Sequence, residues 1–137
     1  MFSHWLFASF CSVGLHGIGI DVADVHRIAR LIERYGARFT HRWFVPEEVA
    51  QCDASESPTH AFAVRFAAKE AVWKSLGMKW DGSVPWRSIM ILHTDKVPTV
   101  DLVGDVAVAA RALGALKISV AVSVRDGRAF AVAMAEF

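Results

Sequence analysis

Alternating apolar and polar positions predict β-strands at five places in the chain. In the first strand, two glycines and Asp21 face the side opposite the Ile and Val side chains. A helix can approach closely on the glycine side, because glycine has no Cβ. Asp126-Gly127 predicts a hairpin turn between the last two strands. The predicted strands are 16–22, 86–94, 99–103, 117–124 and 128–136.

Helix signals separate these strands. Asp24 is a candidate N-cap for a helix over 25–35 that ends at Gly36, and Pro46 begins a short second helix. A long helix runs from Ser57-Pro58 to about residue 76, and an Ala-rich helix covers 105–113. This order predicts an α+β fold with a small antiparallel or mixed sheet packed against the long central helix.

Length and charge limit the possible functions. With 137 residues the chain makes one domain, and a net charge of +1 argues against a nucleic-acid binder. Residues 1–15 carry no Lys, Arg, Asp or Glu, and we interpret them as an apolar extension preceding a single domain over 16–137. This run lacks a positive n-region and is too short to span a membrane. Two cysteines without partner spacing fit a reducing cytoplasm.

The long helix is apolar almost all round, yet it carries a carboxylate among cations. Ionised groups are costly to bury unless they are paired or bound to a ligand, so these positions predict a site for Mg²⁺ and a phosphate substrate. Glu70 and Lys74 are also spaced as an i, i+4 salt bridge, which is the simpler structural explanation. The charged positions are Arg65, Lys69, Glu70 and Lys74.

Two motifs carry a family resemblance. Residues 17–21 read GIGID and residues 65–71 read RFAAKEA, followed by Lys74 and Gly77. In this order and spacing they resemble the signatures of holo-acyl-carrier-protein synthases, the AcpS-type 4′-phosphopantetheinyl transferases. The resemblance implies the fold of these transferases and assembly as a homotrimer. It also implies Mg²⁺-dependent transfer of phosphopantetheine from coenzyme A (CoA) to a serine of apo acyl carrier protein (ACP). The by-product would be adenosine 3′,5′-bisphosphate.

The resemblance also implies residue roles. Asp21 and Glu70 match the Mg²⁺ ligands, and either Lys74 or Glu70 would deprotonate the serine. Three positions differ from the family pattern. In the penultimate strand, Lys117 stands where the family has His, and Val122 stands where it often has a later His or Asp. The basic residue of the turn between the middle strands is shifted by one position. The implied CoA contacts are Arg65, Lys69, Lys74, Lys96, Pro98, Lys117 and Ser119.

A basic stripe predicts the protein partner. Arg27, Arg30 and Arg34 are spaced i, i+3 and i+7, which places them on one helix face. The resemblance implies that acidic ACP docks on a basic first helix, and the residues that match the family's arginines are Arg27, Arg34, Arg38 and Arg42. Two alternatives remain: a non-catalytic basic module that binds an acidic protein, and a CoA-dependent acyltransferase that needs no Mg²⁺.

Overall fold

The computed structural model describes residues 4–8 and 16–137, with side chains from residue 17 onward. The strands are β1 (His4–Ala8), β2 (His16–Asp24), β3 (Ile89–Thr94), β4 (Val97–Leu102), β5 (Lys117–Arg125) and β6 (Arg128–Glu136). The helices are α1 (Val25–Tyr35), α2 (Ala37–Trp43), α3 (Pro46–Asp53), α4 (Pro58–Leu76) and α5 (Gly104–Ala112), with a 3₁₀ turn at Trp86–Ser88.

The strands form two antiparallel sheets instead of the one sheet expected. The larger sheet has the order β1-β2-β6-β5, and among the described residues β3 pairs only with β4. The fold class α+β is confirmed. Most of the proposed N-terminal extension, residues 1–3 and 9–15, lies outside the described residues, but His4–Ala8 forms a strand along β2.

Helix α4 lies directly on β2 and β6. A Cβ built on Gly17 would fall 1.9 Å from the backbone oxygen of Ser75, and one on Gly19 would fall 1.9 Å from that of Ala71. On β6, the residues that face the helix are all buried alanines: Ala129, Ala131, Ala133 and Ala135. The small side chains on both strands therefore bring the helix backbone close to the sheet, as the glycine pattern predicted.

Local signals place α1 correctly. The Asp24 carboxylate accepts a hydrogen bond from the Arg27 N–H at 3.1 Å, and the Gly36 N–H bonds to the Ile32 carbonyl. The hairpin turn is also confirmed, with positive φ at Asp126 and Gly127. Helix α2 was not predicted, because seven residues with a single buried side chain, Phe39, give too little periodicity.

The second sheet packs against the helices on the side of α4 that faces α3. Helix α3 contacts both α4 and β3, and α4 contacts β3 as well. Among the described residues, no helix is long and apolar enough to cross a membrane.

Candidate active site

Asp21 lies on the helix-facing side of β2, where it is completely buried beneath α4. The alternation of β2 puts it on the same side as Gly17 and Gly19, so the close approach of the helix covers it. A buried carboxylate requires a charged or hydrogen-bonding partner.

Lys74 supplies that partner. Its ammonium lies 2.8 Å from Oδ1 of Asp21 and donates a second hydrogen bond to the Ile20 carbonyl at 3.1 Å. Within the described part of the chain, no salt bridge joins Lys74 to Glu70, so the i, i+4 pair suggested by the sequence is not formed. One of the three ammonium N–H groups is left without a partner among the described residues.

Glu70 completes a carboxylate pair. Burial raises the pKa of Glu70 to about 7, and the neighbouring Asp21 carboxylate adds to the rise, while Lys74 and Arg27 oppose it. Two carboxylates that share a site disfavour each other's ionisation unless a cation lies between them.

The two carboxylates fit a Mg²⁺ ion. Oδ2 of Asp21 is buried and has no hydrogen-bond partner, so it has an unused acceptor beside Glu70. Over residues 17–137 no cluster holds three or more His, Cys, Asp or Glu side chains that could bind a metal. Mg²⁺ commonly takes only one or two protein carboxylates and fills its remaining positions with water and substrate phosphates.

A basic groove lies beside this site. Its cavity of about 400 Å³ has an aromatic floor that includes Phe39, Trp43 and Phe66. Phe66 is one helical turn before Glu70, which places the groove next to the carboxylates. The cationic walls are Arg27, Arg38 and Arg42.

Arg34 belongs to a neighbouring groove on α1. That groove is also lined by Arg27, Arg30 and Glu33, and the Arg34 guanidinium lies over the Tyr35 ring at 5.3 Å from its centroid. All four predicted partner-binding arginines are exposed, and together they flank the two grooves.

Lys69 and Arg65 point away from the carboxylate pair. Five residues of helix rotate the side-chain direction by about 140° between Arg65 and Glu70. Lys69 is completely buried, and its ammonium contacts Glu48 at 2.8 Å, the Trp86 carbonyl at 3.0 Å and the Ile89 carbonyl. All three N–H groups of Lys69 are thus used inside the chain, so this geometry does not support the predicted phosphate contact.

The remaining predicted CoA residues are spread over other surfaces. Lys96 is exposed in the β3–β4 turn and lines a cavity of about 530 Å³ on the α3 side of α4, and Pro98 follows two residues later on β4. Lys117 lines a separate groove of about 230 Å³ between α5 and β5, and Ser119 is half-buried on β5. One chain therefore does not bring these residues to Asp21 and Glu70.

Comparisons with known proteins identify the family. Residues 17–133 match the model of the 4′-phosphopantetheinyl transferase superfamily. The chain belongs to this superfamily. The holo-[acyl-carrier-protein] synthase of Methylobacterium radiotolerans is 46% identical over 92 residues, which cover 66% of this chain and 68% of that protein.

Solved structures of the superfamily share the fold. The holo-[acyl-carrier-protein] synthase of Neisseria meningitidis superposes with a TM-score of 0.80 at 31% identity, covering 88% of this chain and 98% of that one. The Helicobacter pylori synthase, solved in complex with coenzyme A, has a TM-score of 0.74 at 26% identity and covers 86% and 98%. These matches confirm the predicted family, the fold and the class of enzyme, a 4′-phosphopantetheinyl transferase.

Sequence reasoning missed a second polar cluster in this phosphopantetheinyl transferase. Glu48 is completely buried, and Gln51 contacts both Arg65 and the backbone of His93. The available signal was the spacing of Glu48 and Gln51, which at i, i+3 share one face of α3. The partners on β3 lie more than forty positions away and could not be predicted from local pattern.

Proposed function

We propose that this enzyme transfers 4′-phosphopantetheine from CoA to a serine of an apo acyl carrier protein in a Mg²⁺-dependent reaction. The products are holo-ACP and adenosine 3′,5′-bisphosphate. The observation that supports this most directly is the buried Asp21, with one oxygen paired to Lys74 and the other unpartnered beside Glu70.

Asp21 and Glu70 would hold the metal. When bound there, Mg²⁺ supplies the positive charge that neutralises and orients a pyrophosphate. The third N–H of Lys74 is suited to an oxygen of the β-phosphate, because its other two are held by Asp21 and Ile20. The pair with Asp21 also fixes the position of the ammonium.

Glu70 is the better candidate for the base. A carboxylate can accept a proton directly or through a bound water, and Glu70 is the carboxylate of the pair that is not bonded to Lys74. The Lys74 ammonium is instead engaged as a donor to Asp21. The serine Oγ forms a bond to the β-phosphorus, its proton passes directly or through water to Glu70, and the bond to the adenosine 3′,5′-bisphosphate leaving group breaks.

The basic groove would receive the carrier protein. Acidic side chains of ACP would pair with the arginines at its rim, and an apolar side chain would enter over Phe39, Trp43 and Phe66. Arg27 belongs to this groove and is close enough to Glu70 to lower its pKa, so a docked partner would present its serine near the carboxylates.

A trimer would bring the scattered CoA residues together. The sheet face opposite α4 is apolar, and Val132 at its centre is 45% exposed, so we propose that a second copy of the chain covers it. The neighbour would then supply CoA contacts at each shared site from Lys96, Pro98, Lys117 and Ser119. The residues of the apolar face are Ile18, Ile20, Val22, Phe130, Val132 and Met134.

Intact-mass spectrometry tests the reaction. Apo-ACP is incubated with the chain, CoA and Mg²⁺, and we expect the mass of one phosphopantetheine to be added, with none added in EDTA. Asp21→Asn should abolish transfer, because it removes a charged ligand and the partner of Lys74. Asp24→Asn is the matched control, since Asp24 is exposed and Asn also caps helices.

The same assay separates the alternatives. A non-catalytic basic module would bind ACP equally well with Asp21→Asn and would add no mass. An acyltransferase would consume acyl-CoA in the presence of EDTA. No mass gain by the wild-type chain with several apo carrier proteins would refute the proposed reaction.

Arginine variants test the docking groove. Arg38→Ala should raise the KM for ACP by about tenfold at low salt, with little change in the KM for CoA. The difference should shrink at high salt, since screening weakens exposed charge pairs. Arg125→Ala removes an exposed arginine from the end of β5, outside both α1 grooves, and is the matched control.

A further inference from the structure

Within residues 4–8 and 16–137, the outer edge of β3 is closed by side chains and not by a neighbouring strand. The β3–β4 register pairs Leu92 with Thr99 and His93 with Pro98, so backbone groups of alternate β3 residues point away from β4. Those groups belong to Ile89, Ile91 and His93, and each has a partner on α3 or α4.

Two residues of α3 accept the β3 amides. Oε2 of Glu48 accepts from the Ile91 N–H at 3.1 Å, and Oε1 of Gln51 accepts from the His93 N–H at 2.9 Å. Gln51 also donates from Nε2 to the His93 carbonyl at 3.2 Å, so one side chain satisfies both backbone groups of that residue.

Two residues of α4 satisfy the β3 carbonyls. Nε of Arg65 donates to the Ile91 carbonyl at 3.1 Å, and the Lys69 ammonium donates to the Ile89 carbonyl. The helices are also joined to each other, because Lys69 pairs with Glu48 at 2.8 Å and Arg65 donates to Gln51 at 2.7 Å.

We propose that Glu48, Gln51, Arg65 and Lys69 form an edge ladder that stands in for a missing strand and fixes the β3–β4 hairpin against α4. Unpaired strand edges invite pairing with other chains and leave a hairpin poorly held. The ladder bonds five backbone groups of β3 to buried or half-buried side chains of two helices.

The ladder also positions a substrate contact, an inference that rests on the proposed function. The β3–β4 turn carries Lys96, with positive φ at Asp95 and Lys96, and Lys96 lines the same cavity as Gln51, Arg65 and His93. Arg65 and Lys69 would therefore act on CoA through the hairpin, as positioning residues.

Hydrogen exchange on the full-length wild-type chain tests the ladder without any assay of activity. The amides of Ile91 and His93 should be protected to a degree comparable with Leu92, which faces β4. Exchange at Ile91 and His93 as fast as at open-loop amides would overturn the ladder.

Gln51→Met tests the positioning role. It keeps the length of the side chain but removes every hydrogen bond that the side chain of residue 51 makes, so the His93 amide should exchange about tenfold faster. The KM for CoA should rise about tenfold, while kcat and the KM for ACP stay within about twofold. Gln51→Glu retains the acceptor for the His93 N–H and should restore most of the protection.

Glu47→Gln is the matched control, because Glu47 is an exposed neighbour on the same helix. It should leave exchange and kinetics at wild-type values. Faster exchange in Gln51→Met with an unchanged KM for CoA would overturn the positioning role and leave the ladder as a folding device. A wild-type chain with protected amides that neither binds CoA nor transfers would refute the proposed function and the positioning role together.

Discussion

Replacement of Gly19 by Ala should disable the enzyme through contact with a helix backbone. A Cβ at Gly19 would lie 1.9 Å from the Ala71 carbonyl oxygen and 2.7 Å from the Ser75 nitrogen. Neither atom belongs to a flexible side chain. Since contacts under 3.0 Å are essentially never observed, α4 and β2 must separate by about 1 Å.

That separation should lower both the stability of the fold and the rate of transfer. Overpacking of this kind typically lowers the free energy of unfolding by about 1–3 kcal/mol. Glu70 is next to Ala71, so the carboxylate moves with the helix relative to Asp21. A displacement of about 1 Å at a reacting site costs on the order of 100-fold in rate, which is the loss we expect in kcat/KM for transfer.

Gly19→Ala is compared with Gly82→Ala in two measurements, the rate of transfer to ACP and unfolding in urea. Gly82 has φ +81° with no atom near its Cβ position, so alanine there is strained but does not move α4. It should cost about 1–2 kcal/mol of stability and leave the transfer rate unchanged. A Gly19→Ala enzyme with transfer within twofold of wild type would refute the close packing described above.

The other predictions concern charge and assembly. Mg²⁺ affinity should increase as pH rises through about 7, because the raised pKa of Glu70 makes a proton compete with the ion; calorimetry at several pH values would show this, and a flat profile would contradict it. Without metal, the same shift means that the folded state binds more protons between about pH 4.5 and 7, so the unfolding free energy should fall as pH rises through that range. Lys69→Met leaves Glu48 buried without its cation and should cost about 3–5 kcal/mol in urea unfolding, whereas Lys79→Met, at an exposed lysine, should cost almost nothing; equal losses would argue against the buried pair. Val132→Lys places a charge on the apolar sheet face and should dissociate the proposed trimer in sedimentation, and an unchanged oligomer would exclude that face as the interface.

Local chemistry determined much of the fold from sequence alone. The Asp24 cap and Gly36 define α1 at the predicted residues, and Gly77 ends α4 in the left-handed conformation. The alternation of glycine and isoleucine in β2 predicted which face the helix covers. These signals work because caps, turns and side-chain alternation act between residues only a few positions apart.

Two features of the fold were not predicted from the sequence: helix α2 over residues 37–43 and the bonding of the β3 edge. A seven-residue helix has too few turns to reveal a period, so α2 was missed. The division into two sheets depends on which strands meet in space, and β3 finds its second set of partners on helices. No local pattern along 89–94 indicates that a strand will be bonded by side chains.

Only the tertiary structure determined which charged side chains form ion pairs. In the sequence, Glu70 lies one helical turn before Lys74 and is its expected partner, and Lys69 belongs to the same charged stretch. In the folded chain Lys74 pairs with Asp21, 53 positions away, and Lys69 pairs with Glu48, 21 positions away. The sequence by itself determined that α4 carries charge that must be satisfied. The partners were decided by packing, because burial makes an unpaired charge so costly that each one must pair with whatever group the fold brings within reach.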